Sequence, residues 1–460
     1  MINNDVIAAI ATAHGQGAIG VIRLSGKNAL DVLKRVFRSF GERIESHRMY
    51  YGGIYNANEL VDEVMVCPML APRSYTREDT VEIYAHGGML VLNEVLRAVC
   101  ENGARLATPG EFTKRAFMNG RINLSQAEAV MDIISAGSQA ARKAGLRQLG
   151  GGLTQRIEKV RDKVLNWLAH IELSIDYPEH EEEAQNAQEI LSEAGAVLAD
   201  LQGLYSTAAI GRIMREGIKT AIIGQPNVGK STLLNAILSE DRAIVHELPG
   251  TTRDVLTEQV RIGDLHLVIM DTAGIRKTDD PIEKIGVDKS KQAAVDADLI
   301  LYVADRGITP QDEEILRDLT NPLVVLNKAD LPGEPGADVE TGKTVEAADD
   351  AGETARVLKI SAKTGMGLDA LFERIQAMFH DGGIRTQVES DIITRERHRL
   401  LIKQAIEYVE KAVCELEQAV PEDLVSISLR SAYTALGVVL GAEIGDDIAD
   451  RIFSEFCVGK

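Results

Sequence analysis

Residues 224–231 read Gly-Gln-Pro-Asn-Val-Gly-Lys-Ser, which matches the pattern GxxxxGK[ST]. The apolar stretch IKTAIIG (218–224) precedes this loop, and STLLNAIL (231–238), which has helical spacing, follows it. In such a strand–loop–helix unit, the N–H groups of the loop cradle phosphates at the start of the helix. The motif therefore predicts a nucleotide site in which Lys230 supplies charge to the β and γ oxygens and the Ser231 hydroxyl binds Mg²⁺.

Three further segments follow in the order expected of a GTP-binding domain. Asp271 to Gly274 (DTAG) follows an apolar strand, and we expect Asp271 to hold Mg²⁺ through water and the Gly274 amide to sense the γ-phosphate. In Asn327 to Asp330 (NKAD), a buried Asp330 carboxylate would accept two hydrogen bonds from guanine and reject adenine. Ser361 to Lys363 (SAK) would cover the base. Together these motifs predict GTP binding.

The residues around these motifs suggest how GTP is cleaved. Thr252 lies between the loop and DTAG, where a Thr ligates Mg²⁺ in the triphosphate state and releases it after hydrolysis. Ile275 occupies the position of the usual water-orienting Gln, so Glu283 is the candidate for that role. Asn227 offers an amide oxygen to a monovalent cation, and backbone carbonyls of the loop before Thr251 could complete such a site.

Composition excludes several classes of protein. The 460 residues include 50 Lys and Arg and 70 Asp and Glu, a formal charge of −20, so binding of nucleic acid by charge alone is disfavoured. The 4 cysteines are too scattered for a disulfide framework or a zinc site. The start lacks the pattern of a signal peptide, and no uncharged apolar run reaches 18 residues. We therefore expect a cytoplasmic protein without a membrane span.

Composition shifts along the chain predict a multidomain α+β protein. We expect an α+β domain over 1–120 and helical segments over 121–217 and 381–460. Between the helical segments, residues 218–380 should form an α/β domain with a parallel sheet that has helices on both faces. The two helical segments would form one discontinuous domain into which the Ras-like P-loop GTPase domain is inserted.

The quoted motifs are similar to those of the tRNA-modifying GTPases of the MnmE (TrmE) family. The GTPase motifs alone, GQPNVGKST, PGTTRD, DTAGIRK, NKAD and SAK, also resemble the ribosome-assembly GTPases Der and Era. Four flanking stretches resemble MnmE specifically: GQGAIGVIRLSG (15–26), TREDTVEIYAHGG (76–88), TPGEFTKRAFMNGRINLSQAEAV (108–130) and CVGK (457–460).

The resemblance implies a second site and a set of partners. The N-terminal domain would bind 5,10-methylene- or 5-formyl-tetrahydrofolate through Arg23, Glu82, Arg121 and Lys460, and would form a homodimer. With an MnmG-like FAD-containing partner, in a heterotetramer, the family adds an aminomethyl or carboxymethylaminomethyl group to the wobble uridine of tRNA. Cys457 would lie near the folate, where a reactive thiol is a candidate participant.

The resemblance also implies the ligands of the GTPase domain. K⁺ would be held by Asn227 and by the loop from His246 to Thr251, with His246, Leu248 and Thr251 as ligands; the family often has Thr in place of His246. Glu283 matches the family's catalytic Glu. Contacts to the nucleotide and its ions are expected from Asn227, Val228, Gly229, Lys230, Ser231, Thr232, His246, Glu247, Leu248, Pro249, Gly250, Thr251, Thr252, Asp271, Thr272, Ala273, Gly274, Asn327, Lys328, Asp330, Ser361, Ala362 and Lys363.

Two other functions remain open at this stage. A GTP-controlled ribosome-assembly switch would carry the same GTPase motifs and transfer no carbon. A folate-dependent aminomethyltransferase acting alone would not need the GTP site.

Overall fold

The computed structural model describes residues 5–13, 15–39, 44–176, 183–239, 258–270, 294–331, 344–345, 355–379, 391–442, 445–454, 456 and 458–459. These residues fall into two compact units. The first draws on Met1–Met131, Leu149–Ala169 and Leu429–Lys460, and the second on Asp132–Gln148 and His170–Ser428. The boundaries of the four segments expected from the sequence stay a prediction.

The first unit contains a six-stranded sheet. Its strands are β1 (Val6–Ile10), β2 (Ile19–Ser25), β3 (Tyr50–Asn56), β4 (Glu59–Met69), β5 (Thr80–His86) and β6 (Ala104–Leu106), in the order β3-β4-β5-β2-β1-β6. Neighbouring strands are antiparallel except β1 and β6. Apolar side chains on one face form a core with two helices, α1 (Ala29–Val36) and α2 (Met89–Glu101).

Helices fill the stretch between this sheet and the phosphate loop, as the sequence predicts. They are α3 (Glu111–Met118), α4 (Leu124–Ile134), α5 (Gln139–Leu149), α6 (Gly152–Asp176), α7 (Glu183–Ser206) and α8 (Ala208–Glu216). Residues 15–20 read Gly-Gln-Gly-Ala-Ile-Gly, which also matches the pattern GxGxxG of dinucleotide sites. Strand β2 follows this turn in place of the helix that a dinucleotide site needs, so the match carries no such site.

A seven-stranded sheet in the second unit confirms the predicted parallel α/β layout. Its elements are β7 (Ile218–Ile223), α9 (Lys230–Ser239), β8 (Glu258–Ile262), β9 (Leu265–Ile269), β10 (Leu299–Asp305), α10 (Pro310–Arg317), β11 (Leu323–Asn327), β12 (Thr344–Val345), β13 (Ala355–Lys359) and α11 (Leu368–Phe379). The order is β12-β13-β11-β10-β7-β9-β8, and only the two edge strands are antiparallel to their neighbours.

Both faces of this sheet are buried. Leu299, Leu301 and Val303 of β10 share a core with α9 and α11, while Ile300 and Tyr302 share one with α10. Apolar residues at every position of the central strands are what a parallel sheet covered on both sides requires. The phosphate loop follows β7, which lies between β9 on one side and β10 on the other. The strand order reverses at β7, and parallel sheets bind ligands beyond the carboxyl ends of the strands at such a reversal.

Three helices follow this sheet in the chain: α12 (Glu396–Glu417), α13 (Glu422–Leu440) and α14 (Asp446–Phe453). Among the described helices, α13 alone is long and apolar enough to cross a membrane, with a mean hydropathy of 1.3 over 18 residues. Half of that stretch is buried inside the protein, and a buried core helix passes the same test.

Candidate functional site

Two glycines fix the path of the phosphate loop. Gly224 has a φ of +153°, and a Cβ there would lie 2.1 Å from the Val303 carbonyl oxygen. Gly229 has a φ of +98°, and a Cβ there would lie 2.2 Å from Asn327 Nδ2. A side chain at either position would collide with backbone or with a buried amide. The loop can therefore close tightly at the start of α9 only with glycine at these positions.

The NKAD and SAK motifs hold the phosphate loop from the side. Asn327, 2% exposed, donates from Nδ2 to the Val228 carbonyl at 2.9 Å and accepts from the Ala362 N–H at 2.9 Å. Lys328 donates to the Asn227 carbonyl and to Asp305, each at 2.8 Å. The structure thus brings together three of the motifs that the sequence predicts to act together.

The phosphate-binding lysine lies against its own loop. Lys230 Nζ donates to the Gly224 carbonyl at 2.8 Å and the Gln225 carbonyl at 2.7 Å. Ser231 is half-buried and Thr232 is exposed, both in the first turn of α9. A cation beside the N–H groups at a helix N-terminus is a suitable environment for a phosphate chain.

Asp330, the residue expected to recognise guanine, is more exposed than the sequence predicts. The sequence led us to expect a buried carboxylate, but Asp330 lies in an exposed turn after β11, so the expectation of burial was wrong. A hydrogen bond from Ser361 lowers the pKa of Asp330 below its ordinary value of 3.8. The carboxylate is therefore ionised at neutral pH and can accept hydrogen bonds from the two N–H donors of guanine.

Many predicted residues lie outside the described part of the chain. They comprise the loop with the expected K⁺ and Mg²⁺ ligands, the DTAG segment, the candidate catalytic Glu, and two residues of the C-terminal motif: His246, Glu247, Leu248, Pro249, Gly250, Thr251, Thr252, Asp271, Thr272, Ala273, Gly274, Glu283, Cys457 and Lys460.

A second polar cluster lies on the sheet of the first unit. Arg23 of β2 and Glu82 of β5 face each other in register, and Arg23 Nε and Nη2 both donate to Glu82 Oε1, at 3.0 and 2.8 Å. Arg23 Nη1 also donates to the Gly459 carbonyl at 3.3 Å, so the last described residue of the chain meets this pair. Three of the four predicted folate residues are described by the structure, all in this unit, and the third is Arg121.

An aromatic ring that the sequence analysis missed joins Arg23 and Arg121. The Tyr75 ring centroid lies 4.8 Å from Arg121 Cζ and 5.6 Å from Arg23 Cζ, and Arg121 donates to the Tyr75 carbonyl at 2.9 Å. The Phe112 ring centroid lies 5.8 Å from Arg23 Cζ. The only sequence signal was the position of Tyr75 directly before the TREDTVEIYAHGG stretch, one residue outside the quoted motif.

The Glu82 carboxylate organises its neighbours electrostatically. Its Oε2 accepts from the Tyr84 hydroxyl at 2.7 Å, and this hydrogen bond raises the pKa of Tyr84 to about 12. Burial, and then the charge of Glu82, raise the pKa of the Cys67 thiol. Both groups therefore stay protonated at neutral pH, and the cluster offers guanidinium and carboxylate groups beside aromatic rings.

Two family models match consecutive parts of the chain. A family model described as the MnmE helical domain matches residues 124–457, and one described as the GTP-binding protein TrmE N-terminus matches residues 6–121. A relative from Finegoldia magna, named tRNA modification GTPase MnmE, is 44% identical over 464 residues, 99% of this chain and 100% of the relative. A protein of the same name from Clostridioides difficile is 44% identical over 468 residues and all of both chains.

A solved structure, the G domain of the T. maritima FeoB iron transporter, is 24% identical and covers 35% of this chain and 98% of that chain. Its TM-score is 0.22, which is too low to support an inference.

Proposed function

Because the chain belongs to the MnmE family of tRNA modification GTPases, we propose that it uses GTP hydrolysis to control one-carbon chemistry on the wobble uridine of tRNA. With an MnmG-like FAD-containing partner, it would install an aminomethyl or carboxymethylaminomethyl group at C5 of that base. When bound, tetrahydrofolate would supply the one-carbon unit of this group, which it carries as a 5,10-methylene or 5-formyl group.

The observation that carries this proposal is the cluster of Arg23, Glu82 and Arg121 around Tyr75. A pterin presents an amino group and a ring N–H on one edge, and the Glu82 carboxylate could accept both. Guanidinium groups suit the carboxylates of the folate tail, and the aromatic rings can contact the flat ring system. The donor set fits a folate, and Lys460, next to Gly459, would add a cation.

Asn227 supports the proposed need for K⁺. It has a φ of +63° and is exposed in the phosphate loop, and its backbone carbonyl accepts a hydrogen bond from Lys328 Nζ. This leaves the Asn227 amide oxygen as a neutral ligand beside the phosphates. A K⁺ ion there would counter the charge that develops between the β and γ phosphates. We further propose Ser231 and Thr252 as Mg²⁺ ligands and Glu283 as the residue that orients water.

The open face of the six-stranded sheet supports a homodimer. Tyr51, Met65 and Tyr84 follow one another across β3, β4 and β5 on the face that carries Arg23. Tyr51 is 65% exposed and Met65 is 44% exposed. Exposed apolar side chains side by side on a sheet are typical of an interaction surface. We propose that a second copy covers this face, and that the assembly works in the cytoplasm.

The net charge of −20 bears on which protein binds the tRNA, this chain or its flavoprotein partner. A surface this acidic repels the phosphates of tRNA at long range. We propose that the flavoprotein partner grips much of the RNA. Tight binding of tRNA by this chain alone at physiological salt would contradict that division.

The test of the folate site is equilibrium binding of 5-formyltetrahydrofolate to the full-length protein. Arg23→Ala and Glu82→Gln should each weaken binding about 10-fold or more, because each removes charge-assisted hydrogen bonds. Arg97→Ala is the matched control, since Arg97 is an exposed α2 residue paired with Glu94, and it should bind like the parent. A parent protein that binds no folate, or Arg23 and Glu82 variants that bind it normally, would overturn the proposed site.

A further inference from the structure

The side chain of Gln225, the second residue of the phosphate loop, is tied to a distant helix. Its Nε2 donates to Thr309 Oγ1 at 3.0 Å and to Asp312 Oδ1 at 2.9 Å. Asp312 lies in the first turn of α10, 87 residues further along the chain. The pattern GxxxxGK[ST] places no demand on this position, so the motif by itself does not predict the contact.

The partner of Gln225 is itself immobilised. The Asp312 side chain is 3% exposed, and its Oδ1 also accepts from the Tyr302 hydroxyl at 2.6 Å. Its Oδ2 accepts from the Thr309 N–H at 2.8 Å and from Thr309 Oγ1 at 2.6 Å. The first of these bonds, together with the Asp312 N–H that donates back to Thr309 Oγ1 at 3.3 Å, forms the capping box of α10. With Gln225, four donors surround one buried carboxylate. Such a carboxylate cannot move without leaving its charge unpaired.

Tyr302 secures the same carboxylate from the sheet. It is fully buried on β10, and burial, followed by its hydrogen bond to Asp312, raises the pKa of its hydroxyl. The hydroxyl therefore stays protonated and remains a donor. Asp312 is thus fixed to both the helix and the strand that flank the loop after Asp305.

The backbone of Gln225 contacts the phosphate-binding lysine. The Gln225 carbonyl accepts from Lys230 Nζ at 2.7 Å, while its side chain reaches Asp312. One residue therefore connects the ammonium group that meets the nucleotide phosphates to an immobile carboxylate in the next layer of the domain. Lys328 holds the other side of the loop through the Asn227 carbonyl.

We propose that Gln225 is a positioning residue for nucleotide binding, and that Asp312 acts through it to hold the phosphate loop around Lys230. A loop held in its binding conformation loses less freedom when the nucleotide arrives, which increases affinity. GDP and GTP both carry the phosphate that the loop surrounds. Loss of the tether therefore weakens both nucleotides and leaves kcat nearly unchanged, because ground state and transition state lose the same interaction.

The test is a double-mutant cycle on the full-length protein, read by fluorescence titration with a labelled GDP and by steady-state GTP hydrolysis. Gln225→Glu places a second carboxylate within hydrogen-bond distance of Asp312, and we expect about 10-fold weaker GDP binding or worse. Asp312→Asn alone should weaken GDP binding little, because the Gln225 amide can turn and accept from the new amide, and the Tyr302 hydroxyl can accept from it as well. Combining the two substitutions restores an amide–carboxylate pair with reversed polarity, and affinity should return to within about threefold of Asp312→Asn.

Glu313→Gln is the matched control. It removes a carboxylate from the same turn of α10, but Glu313 is exposed and should leave GDP affinity unchanged. Normal GDP affinity in Gln225→Glu would overturn the proposal. So would a double variant that binds GDP no better than Gln225→Glu. A lower melting temperature of the nucleotide-free protein without a change in affinity would assign Gln225 to stability alone and would also overturn it.

Discussion

We predict that a single side chain, Asp330, determines which base the nucleotide site accepts. Asp330→Asn exchanges its carboxylate for an amide, which can no longer accept both N–H donors of guanine but can pair with xanthine. We expect GTP affinity to fall at least about 100-fold and XTP to become the better ligand, because a site that loses a hydrogen-bonding match leaves polar groups unpaired. Competition of XTP and GTP against a labelled nucleotide measures this.

The parent protein provides the control for that exchange. ITP lacks the 2-amino group of GTP and should bind the parent more weakly than GTP does, while Asp330→Asn should discriminate less between the two. An Asp330→Asn protein that binds GTP as tightly as the parent would show that the base is recognised elsewhere.

At the scale of single residues, the sequence predicts what a motif encodes and little more. Asn327 and Lys328 were identified because NKxD is a fixed pattern after a strand, and both contact the phosphate loop. Tyr75 and the tether from Gln225 to Asp312 could not be found in this way. Their partners lie tens of residues away, and only the folded sheet brings them within 3 Å or into ring contact.

Among the elements, α3 depends on a buried acid at its start. Burial alone would raise the pKa of Glu111, but hydrogen bonds from Arg105, the Thr108 N–H and Arg115 outweigh it and lower this pKa to about 2. We expect Glu111→Gln to destabilise the first unit by about 3 kcal/mol, because it leaves the buried Arg115 guanidinium, and the partly exposed one of Arg105, each short of a charged partner. Urea unfolding followed by fluorescence of Trp167, the single tryptophan, reports on this unit.

The pH dependence of this effect has a defined sign. Because the folded state lowers the pKa of Glu111 from 4.5, its stabilising effect is complete above about pH 4.5 and is lost as the pH falls toward 2. The difference between parent and Glu111→Gln should shrink over that window. Glu94→Gln, at an exposed pair with Arg97, should change stability by less than about 1 kcal/mol. A Glu111→Gln protein as stable as the parent at pH 7 would contradict this account.

The elements themselves were predicted unevenly. Strands such as β5 and β10 have alternating or continuous apolar residues, a sequence pattern that predicts strands. β3 lacks this pattern because Gly52 and Gly53 interrupt it, and glycine has a low strand propensity. The structure explains these glycines, since a Cβ on Gly52 would lie 2.4 Å from Ser39 Oγ and one on Gly53 would lie 2.7 Å from a Leu60 methyl.

For the whole molecule, the proposed ion requirement gives a clear kinetic prediction. GTP turnover should be faster in KCl than in NaCl at equal ionic strength, and Asn227→Ala should remove that difference while GDP still binds. The reason is that a K⁺ ion bound at the proposed site would stabilise the charge that develops on the phosphates in the transition state. Equal rates in the two salts would contradict the proposed K⁺ site.

The architecture of the whole chain was predictable to the level of its layers. The sequence predicts a parallel α/β domain after a run of helices, and the seven-stranded sheet confirms it. The meeting of Gly459 with Arg23, 436 residues apart, could be inferred only from the resemblance to the MnmE family, because no local pattern encodes such a contact.

The central claim is that the phosphate loop and the Arg23 cluster serve one reaction on tRNA. The most direct test is mass spectrometry of tRNA nucleosides from cells that lack this protein and carry the parent, Arg23→Ala, Lys230→Ala or Arg97→Ala. The account predicts that the parent and Arg97→Ala restore the modified wobble uridine, and that Arg23→Ala and Lys230→Ala both leave it unmodified. Normal wobble uridine modification in cells with either of these last two variants, or in cells that lack the protein altogether, would contradict it.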